Sequence, residues 1–219
     1  MKVLHVHWRC DSYGGGERYL HGICRSQKEA GYRVATISDR RFGAAPEFAS
    51  GKDAQYLIDP SMGIRTGWKE MRNVLRIVES ESPDLVHLHH TASLISPLIL
   101  REIVARYPTV KTVHDASLLC PHTGERLPKV WGGKVCEFPS GIGCLARRCQ
   151  PVFPGGLADL ARNVWEKRVS RRIGTIVVSS RFMESECRRN RFPEGKIAVL
   201  PLYVERQDPG PPTAAAAGT

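Results

Sequence analysis

The chain lacks any run of about eighteen apolar residues, so no segment is long and apolar enough to cross a bilayer as a helix. An export signal is also missing. The N-terminus, MKVLHVHWRC, carries a charge at Lys2, but its apolar stretch is too short for a signal core and reads as a first strand. These absences lead to the expectation of a cytoplasmic protein. No internal repeat occurs, and there is no C-x2-C finger, helix-turn-helix pattern or aromatic-studded strand motif. Nucleic acid is therefore excluded as the expected partner, although the chain is basic.

What is present is ordinary for a globular protein: 219 residues, 42% hydrophobic and 25% charged, enough to bury one good core. Thirty-two basic and 22 acidic side chains give a net charge of +10. Such a balance favours phosphate-rich partners, including a nucleotide-linked substrate or anionic lipid. It equally fits a solvated, arginine-rich surface, and charge alone does not decide.

Seven cysteines are an odd number. Cys10, Cys24 and Cys187 are scattered and read as reduced thiols. Cys120, Cys136, Cys144 and Cys149 are spaced C-x15-C-x7-C-x4-C in a segment rich in Gly, Pro, Lys and Arg. In a reducing compartment such a cluster points to structural zinc or to unligated thiols, and the spacing leaves both open.

Strand and helix signals alternate. Residues 2–7 are strand-like, then a loop ends in Gly14-Gly15-Gly16, and a helix fits 17–30 with Leu20, Ile23, Cys24 and Gln27 on one side and Gly31 as its stop. Strands follow at Arg33–Ser38 and around Gln55–Ile58. Trp68, Met71, Leu75 and Val78 recur at helical spacing. The run LVHLHH is a buried-type strand, 93–106 a helix, and TVKTVH (109–114) another strand. Beyond a long excursion come a helix at 157–172, a strand at 174–179, a short helix at 181–190 and a last strand, KIAVL. This order predicts an α/β fold: a doubly wound, Rossmann-like parallel sheet over residues 1–205, with a cysteine-rich insertion at about 115–156. Residues 206–219, RQDPGPPTAAAAGT, read as a disordered tail.

In such sheets ligands sit beyond the carboxyl ends of the strands. That rule selects Gly14, Gly15, Gly16 and Glu17 at the first βα turn, His89 and His90 after the fourth strand, and His114 with Asp115 after the fifth. Glycines let the backbone approach a ligand, and free helix N–H groups favour an anion; a plain βα loop is the alternative. A dinucleotide fingerprint with Asp39 as ribose acid fits poorly, since no third glycine stands at the G-x-G-x-x-G spacing. His114 beside Asp115 could accept a proton or bind a sugar hydroxyl near neutral pH. His5, His7 and His87 read as core histidines satisfied by backbone partners. The helix 157–172 sets Leu157, Leu160, Val164 and Trp165 apart from Arg162, Lys167, Arg168, Arg171 and Arg172. It either rests weakly on an anionic membrane, at the inner face, or packs on the sheet with a solvated basic side.

Four segments resemble the N-terminal, acceptor-side domain of family-4 glycosyltransferases of the GT-B fold. They are YGGGERYLHGICRSQKEAGYRVATIS, PDLVHLHH (the family usually has Asn where His90 stands), TVHDASLLCP, and TIVVSSRFMESECRRNRFPEGKIAVLPLYVE. The resemblance spans about residues 1–205. It implies retaining transfer of a hexose from a nucleotide diphosphate sugar to an acceptor hydroxyl, free or lipid-linked. Gly15 and Gly16 would approach the donor phosphates or the acceptor, and His114 would lie beside the transferred sugar. The resemblance also implies that donor sugar and diphosphate are held by a C-terminal domain. The expectation is then a half-enzyme that is inactive alone and works with a separately encoded donor domain. A non-catalytic glycan-, lipid-linked-sugar- or partner-binding module of the same fold is the other reading.

Overall fold

The structure is a computed structural model that describes residues 1–11, 14–45, 53–59, 68–91, 94–120, 136–147, 149 and 154–201, the side chains of 68–71 and 154–155 excepted. About half of the cysteine-rich insertion and all of the 206–219 tail fall outside these residues. Strands β1 (Lys2–Val6), β2 (Arg33–Asp39), β3 (Ala54–Ile58), β4 (Leu85–Leu88), β5 (Thr109–Val113), β6 (Thr175–Val178) and β7 (Ile197–Val199) pair in parallel in the order β3-β2-β1-β4-β5-β6-β7. The chain steps outward from β1 to β3, returns to β4 beside β1, and steps outward the other way. The topological switch point therefore lies between β1 and β4.

Parallel pairing needs crossovers, which α1 (Gly15–Glu29), α2 (Trp68–Glu81), α3 (Pro97–Arg106), α5 (Pro154–Ser170) and α6 (Arg181–Arg189) supply; α4 (Gly143–Ala146) is a single turn. Gly31, at φ +82°, ends α1 in the left-handed region that suits glycine, as its position in the sequence predicts. Ser96 and Ser180 cap α3 and α6 by accepting the N–H groups of Ile99 and Met183. Gly14 at the head of α1 offers no side-chain cap, and the Glu17 carboxylate takes the N–H of its own residue in that first turn.

Successive side chains of a strand point to opposite faces. Leu4 and Val6 of β1 and Val86 and Leu88 of β4 join one core with Val74 and Val78 of α2, Ile99 and Ile103 of α3 and Val169 of α5. The alternate positions carry His5, His7, His87 and Thr112, all buried, on the face that α1 covers. The sheet thus has an aliphatic side and, near the switch point, an imidazole side. Among the described residues no helix is long and apolar enough to cross a membrane.

On α2, Val78 is buried and Leu75 packs half-buried against the same core, joined by Val74; the side chains of Trp68 and Met71 lie outside the description. On α5 the four apolar residues expected to share one side are divided: Leu160 is buried, while Leu157, Val164 and Trp165 are about two-fifths exposed, at 42%, 39% and 40%. The helix instead turns Asn163, Glu166 and Lys167 inward. Asn163 donates to the carbonyls of Ser117 and Leu118, and Lys167 donates to Ser140 and Asn190. Buried loop carbonyls need donors more than the sheet needs another Leu, and that requirement sets the rotation of α5.

Candidate functional site

At the carboxyl ends of β1, β4 and β5, residues distant in sequence meet. Gly16, in the first turn of α1, lies against His114: a β-carbon there would be 3.7 Å from the ring. Tyr19, one turn on, sets its ring edge-on to His114 at 5.2 Å. Beside them is a small hollow of about 20 Å³, open to solvent on one side and lined by His90, Lys111, His114, Asp115, Ser117 and Glu166 among others. The predicted strand ends converge, each a residue or two beyond its strand, since β4 stops at Leu88 and β5 at Val113.

The histidines of the imidazole face partner one another rather than the backbone. His5 Nε2 bonds Gln27 Oε1 at 2.8 Å, His5 Nδ1 meets His89 Nε2 at 3.0 Å, and His89 Nδ1 meets His114 Nε2 at 3.1 Å. His87 stacks on His89, ring centroids 4.2 Å apart, and bonds Thr112 Oγ1 at 2.8 Å. Backbone satisfaction, expected for His5, His7 and His87, appears only at His7 Nδ1, which accepts the N–H of His90. The reason is register: β1 pairs with β4 so that His5 stands opposite His87.

Burial dominates the titration of these rings. It carries His5 down to about 4, with the Gln27 bond resisting, and carries His114 to about 4, with His7 adding to the effect and Asp115 resisting. Burial also lowers His87 and His89 well below their ordinary value, with the neighbouring histidines adding to it. His114 is therefore neutral near pH 7, contrary to the expectation that its charge changes there. Nor does it bond Asp115, whose carboxylate accepts the Ser117 N–H at 2.8 Å and lies 4.0 Å from His90 Nδ1. Its Nδ1 is buried without a hydrogen-bond partner.

Glu17 and His89, expected to face a ligand, are turned inward. Glu17 is 6% exposed and joined to His7 Nε2 at 3.1 Å. Burial pushes its carboxyl up, but the His7 bond, backbone bonds and nearby charges carry it below the usual range. His89 is 1% exposed inside the imidazole file. Glu17 supports the site without bordering the hollow, whereas His89 also lines it. Gly15 differs: a β-carbon there meets nothing within 4 Å among the described residues. Asp39 is fully buried and held by the backbone N–H and guanidinium of Arg41, which removes it as a ribose ligand.

Lys111, Glu166 and Thr91 are residues that reading the sequence missed. Lys111 Nζ is buried and donates to His89 O at 3.2 Å, Thr91 Oγ1 at 2.9 Å and Glu166 Oε1 at 3.3 Å. Thr91 Oγ1 in turn donates to Glu166 at 3.0 Å. A lysine in mid-strand, TVKTV, was the available signal, because a charge there needs a buried partner.

The four clustered cysteines approach one another without forming a zinc cage. Burial raises the Cys149 thiol, and Cys144, Cys136 and Cys120 add to that in turn. Ligation needs thiolates in close tetrahedral array. Among the described residues, the only three His, Cys, Asp or Glu ligand atoms all within 4.8 Å of one another belong to His5, His87 and His89. Of that trio, the facing nitrogens of His5 and His89 already share a hydrogen bond.

With this geometry in hand, the relatives decide the family. The model of the glycosyl transferase 4-like domain matches residues 14–202. The chain belongs to that family. No curated protein sequence gives a match. Among solved structures, Anabaena Alr3699/HepE in complex with UDP-glucose superposes with a TM-score of 0.56 at 13% identity, over 94% of this chain and 44% of that one. Sucrose-phosphate synthase (tll1590) from Thermosynechococcus elongatus gives 0.54 at 14% identity, over 92% and 48%. The domain has the fold of a GT-B N-terminal half, and the chain spans about half the length of the structures it matches. Gly14 to Glu17, His89, His90, His114 and Asp115 all lie inside the matched region.

Proposed function

We propose that this domain forms the acceptor-side wall of a retaining glycosyltransferase that moves a hexose from a nucleotide diphosphate sugar to an acceptor hydroxyl. The observation that carries the reading is the meeting of the α1 N-terminus with His114 at the strand ends. Family membership supplies the reaction class. The matched HepE structure holds UDP-glucose, which makes a UDP-hexose the first donor to try. N–H groups of the first turn of α1 suit phosphate oxygens, and Gly15 leaves them approachable. Buried His114 Nδ1, 4.0 Å from where a β-carbon on Gly16 would stand, is the acceptor assigned to a sugar hydroxyl, and His90 with Asp115 borders the hollow where an acceptor would enter.

In this reading His114 is a neutral hydrogen-bonding group and a poor general base, because burial brings its ring down to about 4 and so disfavours the protonated form a base must become. Asp115 positions the following turn through its bond to Ser117 N. Transfer requires a second wall to grip the diphosphate, and a donor-side domain, separately encoded or otherwise supplied, fills that role. A lipid-linked acceptor is favoured by the outward Leu157, Val164 and Trp165 of α5 beside the exposed Arg168, a surface suited to an anionic membrane interface.

The test is transfer from UDP-glucose to free and lipid-linked sugar acceptors, by the chain alone and with a donor-side domain of the family. Transfer only in the combined sample is expected. Sugar binding without turnover in either sample would instead establish a binding module. Sedimentation with anionic vesicles, lost in Trp165→Glu, checks the membrane contact.

A further inference from the structure

Four side chains from separate parts of the chain form one hydrogen-bonded file: Gln27 of α1, His5 of β1, His89 after β4 and His114 after β5. The file has a direction. Gln27 presents its carbonyl oxygen, which can only accept, so the hydrogen of His5 is on Nε2. A neutral imidazole carries one N–H, which leaves His5 Nδ1 as acceptor for His89 Nε2–H. His89 Nδ1 is then the acceptor for His114 Nε2–H. The last nitrogen, His114 Nδ1, is left as a bare lone pair, and it is the atom of that ring that is buried with no partner. Every ring of the file is held neutral by burial, so no second proton blurs the sequence of donors and acceptors.

We propose that Gln27 is a positioning residue: acting through His5 and His89, it fixes His114 in the Nε2–H tautomer, so that Nδ1 accepts a hydroxyl hydrogen from a neutral sugar and disfavours a phosphate oxygen. A lone pair cannot donate to an anion, so the diphosphate is directed to the α1 N–H groups and the sugar ring to His114. The ligand class rests on the glycosyltransferase reading, whereas the tautomer does not. Gln27 itself is half-buried and touches no part of the hollow. Its side chain was legible only as one of four on the inner side of a helix.

The test is nitrogen NMR of the full chain at pH 7, with 15N-labelled imidazoles, reading which nitrogen of His114 is pyrrole-like. Wild type is expected to show Nε2–H. Gln27→Glu keeps an oxygen acceptor and should retain that state. Gln27→Lys replaces the acceptor with a donor and should move His114 to Nδ1–H, while Gln27→Leu removes the bias and should give an averaged signal. Methyl α-glucoside should shift the His114 Nδ1 resonance, and inorganic pyrophosphate should not. A wild-type Nδ1–H tautomer, a His114 tautomer indifferent to both Gln27→Lys and Gln27→Leu in folded protein, or an Nδ1 that answers to pyrophosphate alone overturns the proposal. The tautomers as expected in a chain that never transfers sugar with any donor domain would uphold the file and sink the glycosyltransferase reading instead.

Discussion

Gly16 and His114 are in van der Waals register across the strand ends, with room for a single methyl group between them, since an added β-carbon would stand 3.7 Å from His114 Cγ. Gly16→Ala should therefore fold normally and gain up to about 1 kcal/mol from helix propensity. Gly16→Leu has no such room and must push the imidazole aside. Thermal unfolding and sugar transfer measured together check this: the alanine variant active and at least as stable, the leucine variant folded but inactive. Equal activity in both would show that the contact has no part in the site.

The buried imidazoles make stability acid-sensitive. His5 falls from 6.5 in the unfolded chain to about 4 in the fold, so below pH 6.5 the unfolded state takes up protons that the native state refuses. Stability is lost as pH falls from about 6.5 to 4, and His5 alone accounts for about 3 kcal/mol at the acid end. His114 acts in the same sense and over the same window. Denaturant midpoints across pH 4–8 should decline within that window in wild type, and the decline should be shallower in His5→Gln. A flat profile would mean that the rings are not neutral and buried together.

The order of elements was legible because strand-length β-branched runs and Gly31 announce themselves locally, and the convergence of Gly16, His90 and His114 followed from parallel topology alone. What could not be read was the pairing of side chains across strands. HVH and HLHH display the two-residue alternation openly, yet only the register that sets His5 opposite His87 turns bland core histidines into a file. On α5, apolar spacing misled because Asn163 and Lys167 answer carbonyls on remote loops, a demand invisible within the helix. Glu17 looked like a ligand by its place in Gly-Gly-x-Glu, and turned out to hold His7.

Lys111 and Glu166 form an ion pair with side chains only 4% and 7% exposed, and both border the hollow. Removing one partner leaves a buried charge alone, at a cost of about 3–5 kcal/mol, whereas an apolar pair of similar volume can be near neutral. Lys111→Met should be severely destabilised, and Lys111→Met with Glu166→Leu should recover much of the loss. Thr91, bonded to both, will limit the recovery, because its hydroxyl loses its partners in the double variant. A double variant no more stable than the single one would indicate that the hydrogen-bonded cluster, and not the charge pair, is what the fold needs.

His114→Ala separates support from function. Truncation leaves His89 Nδ1 without its donor and opens space beside Gly16, so it should cost about 1–3 kcal/mol. In a domain of this size that amounts to a fall of a few degrees in Tm, at about 2–4 °C per kcal/mol. The fold survives because the aliphatic core lies on the other face of the sheet. Transfer in the presence of a donor-side domain should fall about 100-fold or more, the scale for losing one preorganised polar contact at a reacting sugar. Gly15→Val is the companion experiment. Among the described residues nothing beyond its chain neighbours lies within 4 Å of its added β-carbon, so stability should hold while the branched side chain fills the approach to the α1 N–H groups. If both variants keep their fold and lose transfer, ligand approaches the sheet edge between residue 15 and residue 114. Full activity in either, or outright unfolding of His114→Ala, would move the reacting sugar elsewhere.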